Sequence, residues 1–186
     1  MRTLAVMEPP TRRTSPDADA ALTEVYDAHW VSLVRLAWLL LRDQSRAEEV
    51  VQDAFIATYP RIAELRASGG AVAYLRRSVV NGCRSVQRRQ GVERRYLRGH
   101  LESVDLPGRR ADASAESGAL DHDAHAHMVA ALQQLPRRQR EVLVLRYYLD
   151  LSEAQIADAL AISPGAVKSH ASRGLATLRT LVEGRG

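Results

Sequence analysis

The sequence lacks most of the features that disulfide formation, membrane insertion and secretion require. Cys83 is the only cysteine among 186 residues, so neither an internal disulfide nor a cysteine-based zinc site can form. No run of about 18 apolar residues is present, and the first residues lack the apolar core of a signal peptide. We therefore expect a cytoplasmic protein.

Signals for catalysis or a bound cofactor are also scarce. No glycine-rich phosphate loop follows a strand-like segment, and no nucleophile is paired with a base in a known spacing. His122, His125 and His127 lie close together in the sequence but have no cysteine beside them, which makes them weak evidence for a metal site. The sequence thus predicts a protein that is not an enzyme and has no metal or other cofactor.

Lysine is almost absent, and arginine supplies nearly all of the positive charge. The formal net charge is +4 and the isoelectric point is about 9.6, with Lys168 as the only lysine. Arginine can grip phosphate or guanine through a bidentate fork, which suits contact with nucleic acid. A GC-rich coding sequence would produce the same bias, so composition alone leaves both explanations open.

Apolar residues recur at helical spacing and no segment alternates like a strand, so the predicted fold class is all-α. The expected helices of the first half cover residues 22–41, 45–65 and 71–95. Ser45 with Glu48 predicts a capping box at the start of the second helix. Residues 1–20 contain three prolines and no apolar period, which predicts a disordered tail.

The second predicted helix has an acidic side in an otherwise basic protein. This side includes Glu49, Gln52 and Asp53, opposite an apolar face. An acidic helix face is usually a solvated surface. It also suits a basic protein partner, and both interpretations stay open at this point.

The third predicted helix is covered with arginine and has little acid beside it. Such a helix is typical of contact with a phosphate backbone, although a solvated face is the alternative. Asn81 and Gly82 lie in the middle of its apolar stripe. We expect the helix to continue through them, weakened because glycine costs about 1 kcal/mol relative to alanine.

The chain divides into two small helical units, 21–97 and 126–183, joined by a flexible linker at 98–125. Within the second unit, residues 152–170 predict a helix-turn-helix. Ser152 with Gln155 forms a capping box, and Ser163 caps the second helix with Pro164 at its first position. Ala161 occupies the turn, where a left-handed backbone would cost alanine about 1 kcal/mol.

The second helix of this motif has polar residues opposite its apolar stripe, on a face that could enter a DNA major groove. These residues are Lys168, Ser169, Ser172 and Arg173.

The order of these parts resembles a bacterial RNA polymerase sigma factor of the sigma-70 family, extracytoplasmic-function (ECF) subfamily. Residues 47–55 (AEEVVQDAF) look like region 2.2, which docks on the clamp helices of the polymerase β′ subunit. Residues 73–81 (AYLRRSVVN) are similar to regions 2.3 and 2.4, which read and open the −10 promoter element. Residues 135–143 with the helix-turn-helix look like region 4, which reads the −35 element.

The resemblance implies a transcription initiation factor that binds core RNA polymerase, at the β′ clamp helices and the β flap, and promoter DNA. An anti-sigma factor is a further expected partner. The implied polymerase contacts are Glu49, Gln52 and Asp53. The implied −10 contacts are Tyr74, Arg77, Asn81, Arg84 and Arg88, and the implied −35 contacts are Ser163, Lys168, Ser169, Ser172 and Arg173.

Two other classes of protein fit part of the sequence. A stand-alone LuxR-type helix-turn-helix regulator would share residues 135–181, but such proteins usually carry an α/β domain and the first half here shows no strands. A helical adaptor that binds only protein would use the acidic helix, but it would have no use for the arginine-rich one.

Overall fold

A computed structural model describes residues 16–100 and 119–184 of the chain. Every regular element in these ranges is helical, which confirms the all-α prediction. The α-helices are α1 (Pro16–Leu41), α2 (Gln44–Thr58), α3 (Ile62–Ala67), α4 (Ala71–His100), α5 (Ala119–Gln134), α6 (Arg137–Tyr147), α7 (Glu153–Leu160) and α8 (Pro164–Glu183). Helices α1–α4 are named the N-terminal unit here, and α5–α8 the C-terminal unit.

Three helix ends reach into segments predicted to be tail or linker. Helix α1 begins at Pro16, where proline needs no hydrogen-bond partner and acidic residues follow in the first turn. Helix α4 runs to His100 and α5 starts at Ala119, inside the predicted linker. The centre of the linker, with its predicted flexibility, and residues 1–15 of the tail lie outside the described residues.

The predicted capping box at Ser45 is wrong. The N-cap of α2 is Asp43, whose Oδ1 accepts a hydrogen bond from the Arg46 backbone N–H at 3.0 Å. Aspartate caps at least as well as serine, so the helix starts two residues earlier and Ser45 lies within it. The same predicted helix is also divided, because Pro60 lies in a 3₁₀ turn, Tyr59–Arg61, before α3.

The core of the N-terminal unit is formed where α2 and α4 pack on α1. The predicted apolar face of α2 is buried, which confirms the helical spacing; its members are Ala47, Val50, Val51, Ala54, Phe55 and Thr58. Helix α4 is continuous through Gly82. A Cβ atom at Gly82 would lie 2.7 Å from Cγ1 of Val50, so this glycine permits the close approach of α2 and α4.

The C-terminal unit contains the predicted helix-turn-helix. Ser152 and Gln155 form both hydrogen bonds of the capping box, and the Ser163 hydroxyl accepts from the Ala166 N–H at 3.2 Å. Ala161 caps α7 in the left-handed region, with φ 50° and ψ 53°. The turn therefore has the geometry that favours glycine, formed by alanine.

The two units pack directly against each other in a shared apolar core. The Gln133 side chain donates a hydrogen bond to the Leu39 carbonyl at 2.7 Å. The Tyr148 hydroxyl lies 3.3 Å from the Ser32 carbonyl. Both contacts join the C-terminal unit to α1. Within the described ranges, no helix is long and apolar enough to cross a membrane.

The geometry of Ala161 yields a stability prediction. Ala161→Gly should raise the free energy of unfolding by about 1 kcal/mol, because glycine adopts the left-handed conformation without a Cβ clash. Ala176→Gly, at an exposed site inside α8, should lower it by a similar amount because glycine is a poor helix former. Chemical denaturation measures both, and a loss of stability in Ala161→Gly would contradict the assignment.

Candidate nucleic-acid and polymerase interfaces

Helix α8 presents a polar face to solvent. Val167 and Ala171 are buried against the rest of the C-terminal unit. On the opposite side, all of the predicted −35 contacts within the helix are exposed, namely Lys168, Ser169, Ser172 and Arg173. The predicted contact Ser163 is also exposed, and its side chain caps the helix. The structure thus brings the five predicted residues together on the N-terminal half of one helix.

The charges on this face are only loosely engaged. Lys168 Nζ lies 3.6 Å from a carboxylate oxygen of Glu153, and its side chain is 70% exposed. Exposed ion pairs of this kind contribute little, so Lys168 can leave Glu153 for another anion. Arg173 donates from Nε to the Ser169 carbonyl at 3.2 Å, which lays its guanidinium along the helix.

The predicted −10 contacts on α4 have different surroundings from one another. Arg88 is exposed. Tyr74 is half-buried, with the Arg61 guanidinium 5.6 Å from its ring centre. Arg77 pairs with Asp158 of α7, and Asn81 lies with it at a cleft of about 510 Å³ between α4 and the helix-turn-helix. Part of the predicted reader therefore faces the C-terminal unit.

Arg84 is a predicted −10 contact that the C-terminal unit engages directly. Its Nε and Nη2 donate to the two carboxylate oxygens of Glu141 in α6, at 3.0 and 2.9 Å. Its Nη1 lies 3.3 Å from Asn81 Oδ1 and 3.5 Å from the Leu160 carbonyl. The side chains of Arg84 and Glu141 are only 16% and 3% exposed. In this arrangement the guanidinium is engaged across the junction of the two units.

Glu141 was not predicted as a functional residue from the sequence. Within α6 its carboxylate also lies 3.0 Å from Arg138 and 3.6 Å from Arg137, so three guanidinium groups surround it. The sequence does contain one signal, since a glutamate follows arginines at helical spacings of three and four. Its partner Arg84, 57 residues away, could not be read from the sequence.

The same junction affects the lone cysteine. Burial raises the pKa of the Cys83 thiol to about 12, and the negative charge of Glu141 acts in the same direction. The thiol is therefore neutral near pH 7, and thiols react mainly as thiolates. Cys83 behaves as a small apolar residue of the core.

A basic cleft of about 770 Å³ opens beside the Arg84–Glu141 pair. Four arginines reach it from both units, namely Arg84, Arg88, Arg137 and Arg140. Arg140 donates to the side chain of Gln133 at 2.7 Å, and burial lowers its pKa. Positive charge is thus concentrated along this side of the junction.

The acidic strip on α2 is fully available. Its predicted polymerase contacts, Glu49, Gln52 and Asp53, are all exposed. Within the described part of the chain, their side chains make no hydrogen bond or ion pair. Beside the strip, a groove of about 300 Å³ lies between α1 and α2 and is lined by Trp30 and Trp38 among others. An acidic ridge next to an aromatic groove suits a basic, partly apolar partner.

An apolar cleft of about 420 Å³ lies on the C-terminal unit and was not predicted. It is lined by residues of α1, α5, α6 and α8. Tyr147, Met128 and Leu175 at this cleft are 63%, 42% and 39% exposed. Sequence periodicity could not reveal the cleft, because each helix contributes only a few of its residues.

Among the residues whose side chains are described, no three potential ligands are grouped to hold a metal ion. The side chains of His122 and His125 lie outside the described residues.

Comparison with known proteins identifies the class of this arrangement. Residues 25–93 match the family described as Sigma-70 region 2, and residues 127–178 match Sigma-70, region 4. The first match falls within the N-terminal unit, and the second covers the helix-turn-helix. The two units thus define an RNA polymerase sigma factor.

Curated relatives narrow the class. The chain is 33% identical to the RNA polymerase sigma-E factor of Streptomyces avermitilis over 154 residues, which are 83% of this chain and 80% of the relative. It is 33% identical to the ECF RNA polymerase sigma factor SigK of Mycolicibacterium vanbaalenii, over 88% of this chain and 82% of the relative. The chain belongs to the ECF family of sigma factors, transcription initiation factors that direct RNA polymerase to promoters.

Solved structures agree with the fold. The sigma factor RpoE of Bartonella quintana, solved in complex with the anti-sigma factor NepR, is 25% identical and covers 91% of this chain and 98% of its own, with a TM-score of 0.67. CnrH, solved with the cytosolic domain of CnrY, is 21% identical over 91% and 97% of the two chains, with a TM-score of 0.64. The LuxR-type alternative receives no support from these matches.

Proposed function

We propose that three separate surfaces of the chain have different binding roles in promoter-specific initiation. The acidic strip of α2 binds core RNA polymerase at the β′ clamp helices. Helix α4 contacts the −10 element, and α8 contacts the −35 element. The observation that carries the proposal is the exposed polar face of α8, because its capped start and exposed side chains suit entry into a major groove.

The polymerase contact is supported by the freedom of the acidic side chains. The side chains of Glu49, Gln52 and Asp53 have no partners among the described residues, so docking breaks no contact seen there. The neighbouring groove at Trp30 and Trp38 adds apolar area that carboxylates alone do not supply. Charge complementarity would then set orientation and association rate, and the aromatic groove would contribute affinity.

The apolar cleft at Tyr147 and Leu175 provides a second polymerase contact in this proposal. The β flap is the expected occupant, since it is the partner implied for this half of the chain. An anti-sigma factor would compete for the same exposed surfaces. That expectation is supported by the similar Bartonella RpoE, which was solved with the anti-sigma factor NepR.

The −10 contact is supported by the arginines of α4. Arg77, Asn81, Arg84 and Arg88 lie along one stretch of the helix, and arginine can hold the phosphates of a single strand. Tyr74 supplies the single aromatic ring among the predicted contacts. Because stacking contributes strongly to holding unpaired bases, we expect modest melting power and dependence on a well-matched −10 sequence.

Polymerase binding is tested by replacing Gln52 and Asp53 with alanine. The double variant should bind core polymerase about tenfold more weakly while keeping its thermal stability, because both side chains are exposed and lie outside the core. Glu183→Ala, which removes the same charge from the far end of α8, is the matched control. Equal affinities of the double variant and the control would contradict docking by α2.

Promoter reading is tested by transcription in vitro with purified core polymerase and the full chain. The holoenzyme should initiate at specific promoters. Lys168→Ala should lower their use roughly 5- to 150-fold, the range expected for one lost base contact. Arg179→Ala removes the same charge about 16 Å further along α8, so it should have a much smaller effect. Absence of promoter-specific initiation would overturn the proposed function.

A further inference from the structure

The junction between the two units covers part of a DNA-contacting surface. Region 2 and region 4 each carry a promoter reader in the proposed function. In the structure, the N-terminal end of α6 and helix α7 lie against α4 at Arg77, Asn81 and Arg84. Arg84 is largely covered there, with a side chain only 16% exposed, whereas Arg77 and Asn81 border the C-terminal unit and remain partly open to solvent.

The contact between Arg84 and Glu141 has the same chemistry as a contact between arginine and a nucleic-acid phosphate. A guanidinium fork matches the two oxygens of a carboxylate and of a phosphate equally well. Glu141 accepts from Nε and Nη2 of Arg84, at 3.0 and 2.9 Å, where a phosphate could otherwise bind. Asp158 plays the same part for Arg77 at the exposed edge of the junction.

We propose that the Arg84–Glu141 ion pair is an autoinhibitory latch that holds the C-terminal unit over the −10 reader of the free chain. The proposal rests on the proposed function of α4. Opening of the latch frees Arg84, and with it Asn81 and Arg77, for promoter DNA.

The physical balance of a buried ion pair makes such a latch reversible. Desolvation of two charges offsets most of their attraction, so a buried pair specifies one geometry more than it adds stability. When the units separate, Arg84 is hydrated again, and Glu141 keeps Arg137 and Arg138 as partners on α6. No buried charge is left alone, so the chain can open when polymerase binds.

Other contacts set the orientation of the closed form but are less suited to hold it. The Arg77–Asp158 pair is exposed on both sides, with side chains 46% and 61% accessible. Exposed pairs contribute little. The hydrogen bonds of Gln133 and Tyr148 reach α1 rather than the DNA-contacting helix. Among the polar contacts across the junction, the latch thus depends on Arg84 and Glu141, beside the apolar core, which the ion-pair variants retain.

The experiment measures the distance between the units in the free full-length chain by single-molecule fluorescence transfer. Fluorophores are placed on cysteines introduced at the exposed positions Ser45 and Thr180, since Cys83 is buried. Glu141→Gln keeps the side-chain shape and removes its charge. Glu64→Gln, which removes the same charge from an exposed pair in α3, is the matched control.

Glu141→Gln should increase the open-to-closed ratio about tenfold, the scale of one charge-assisted hydrogen bond, whereas Glu64→Gln should match the parent chain. Arg84→Lys should open the chain similarly, because lysine keeps the charge but loses the fork. Arg84→Lys leaves the sequence of the C-terminal unit unchanged. It therefore tests the latch even if Glu141→Gln reduces the helix content. Unchanged ratios in the folded variants would overturn the proposal.

Binding of a single-stranded oligonucleotide by the free chain completes the test. Glu141→Gln should bind it about tenfold more tightly than Glu64→Gln does, because the reader on α4 is uncovered. A chain that opens without any gain in DNA affinity would contradict autoinhibition. If the chain opens and binds DNA but the holoenzyme finds no promoter, the proposed function fails while the latch stands.

Discussion

The ion pair between Arg84 and Glu141 joins the two halves of this sigma factor, together with the apolar core that they share. The largely covered Arg84 guanidinium and the buried Glu141 carboxylate tolerate few alternative positions, because two parallel hydrogen bonds join them. The pair therefore fixes α6 against α4, with the apolar contacts of the shared core around it. Of the residues proposed to contact the promoter, those on the face of α8 are exposed, whereas Arg84 is engaged by Glu141.

Close helix packing holds each unit in the shape that this contact requires. Gly82 lets α4 approach α2, since a Cβ atom there would overlap Val50. Gly174 has the same role between α8 and α6, where a Cβ atom would lie 3.1 Å from the Leu143 side chain. Without these glycines the helices would separate by a few tenths of an ångström or more. Glu141 and the polar face of α8 would then shift relative to α4.

Local features of the fold could be predicted from the sequence, and long-range ones could not. The capping residues of α7 and α8, the buried face of α2 and the left-handed Ala161 depend on neighbours within a few residues. The predicted start of α2 was wrong because Asp43 and Ser45 are both good capping residues. Asp43, at the end of the connection from α1, is the one that caps the helix. The Arg84–Glu141 pair and the apolar cleft join distant segments, and a single sequence holds no record of such contacts.

Nuclear magnetic resonance of the Arg84 side chain in the free, full-length chain tests the account most directly. The Nε–H signal, assigned by its loss in Arg84→Lys, should be resolved and slow to exchange with water, because Nε donates to a buried carboxylate. Arg88, exposed one turn along α4, supplies the internal reference for rapid exchange. An Arg84 signal that exchanges as fast as that of Arg88 would contradict the closed arrangement.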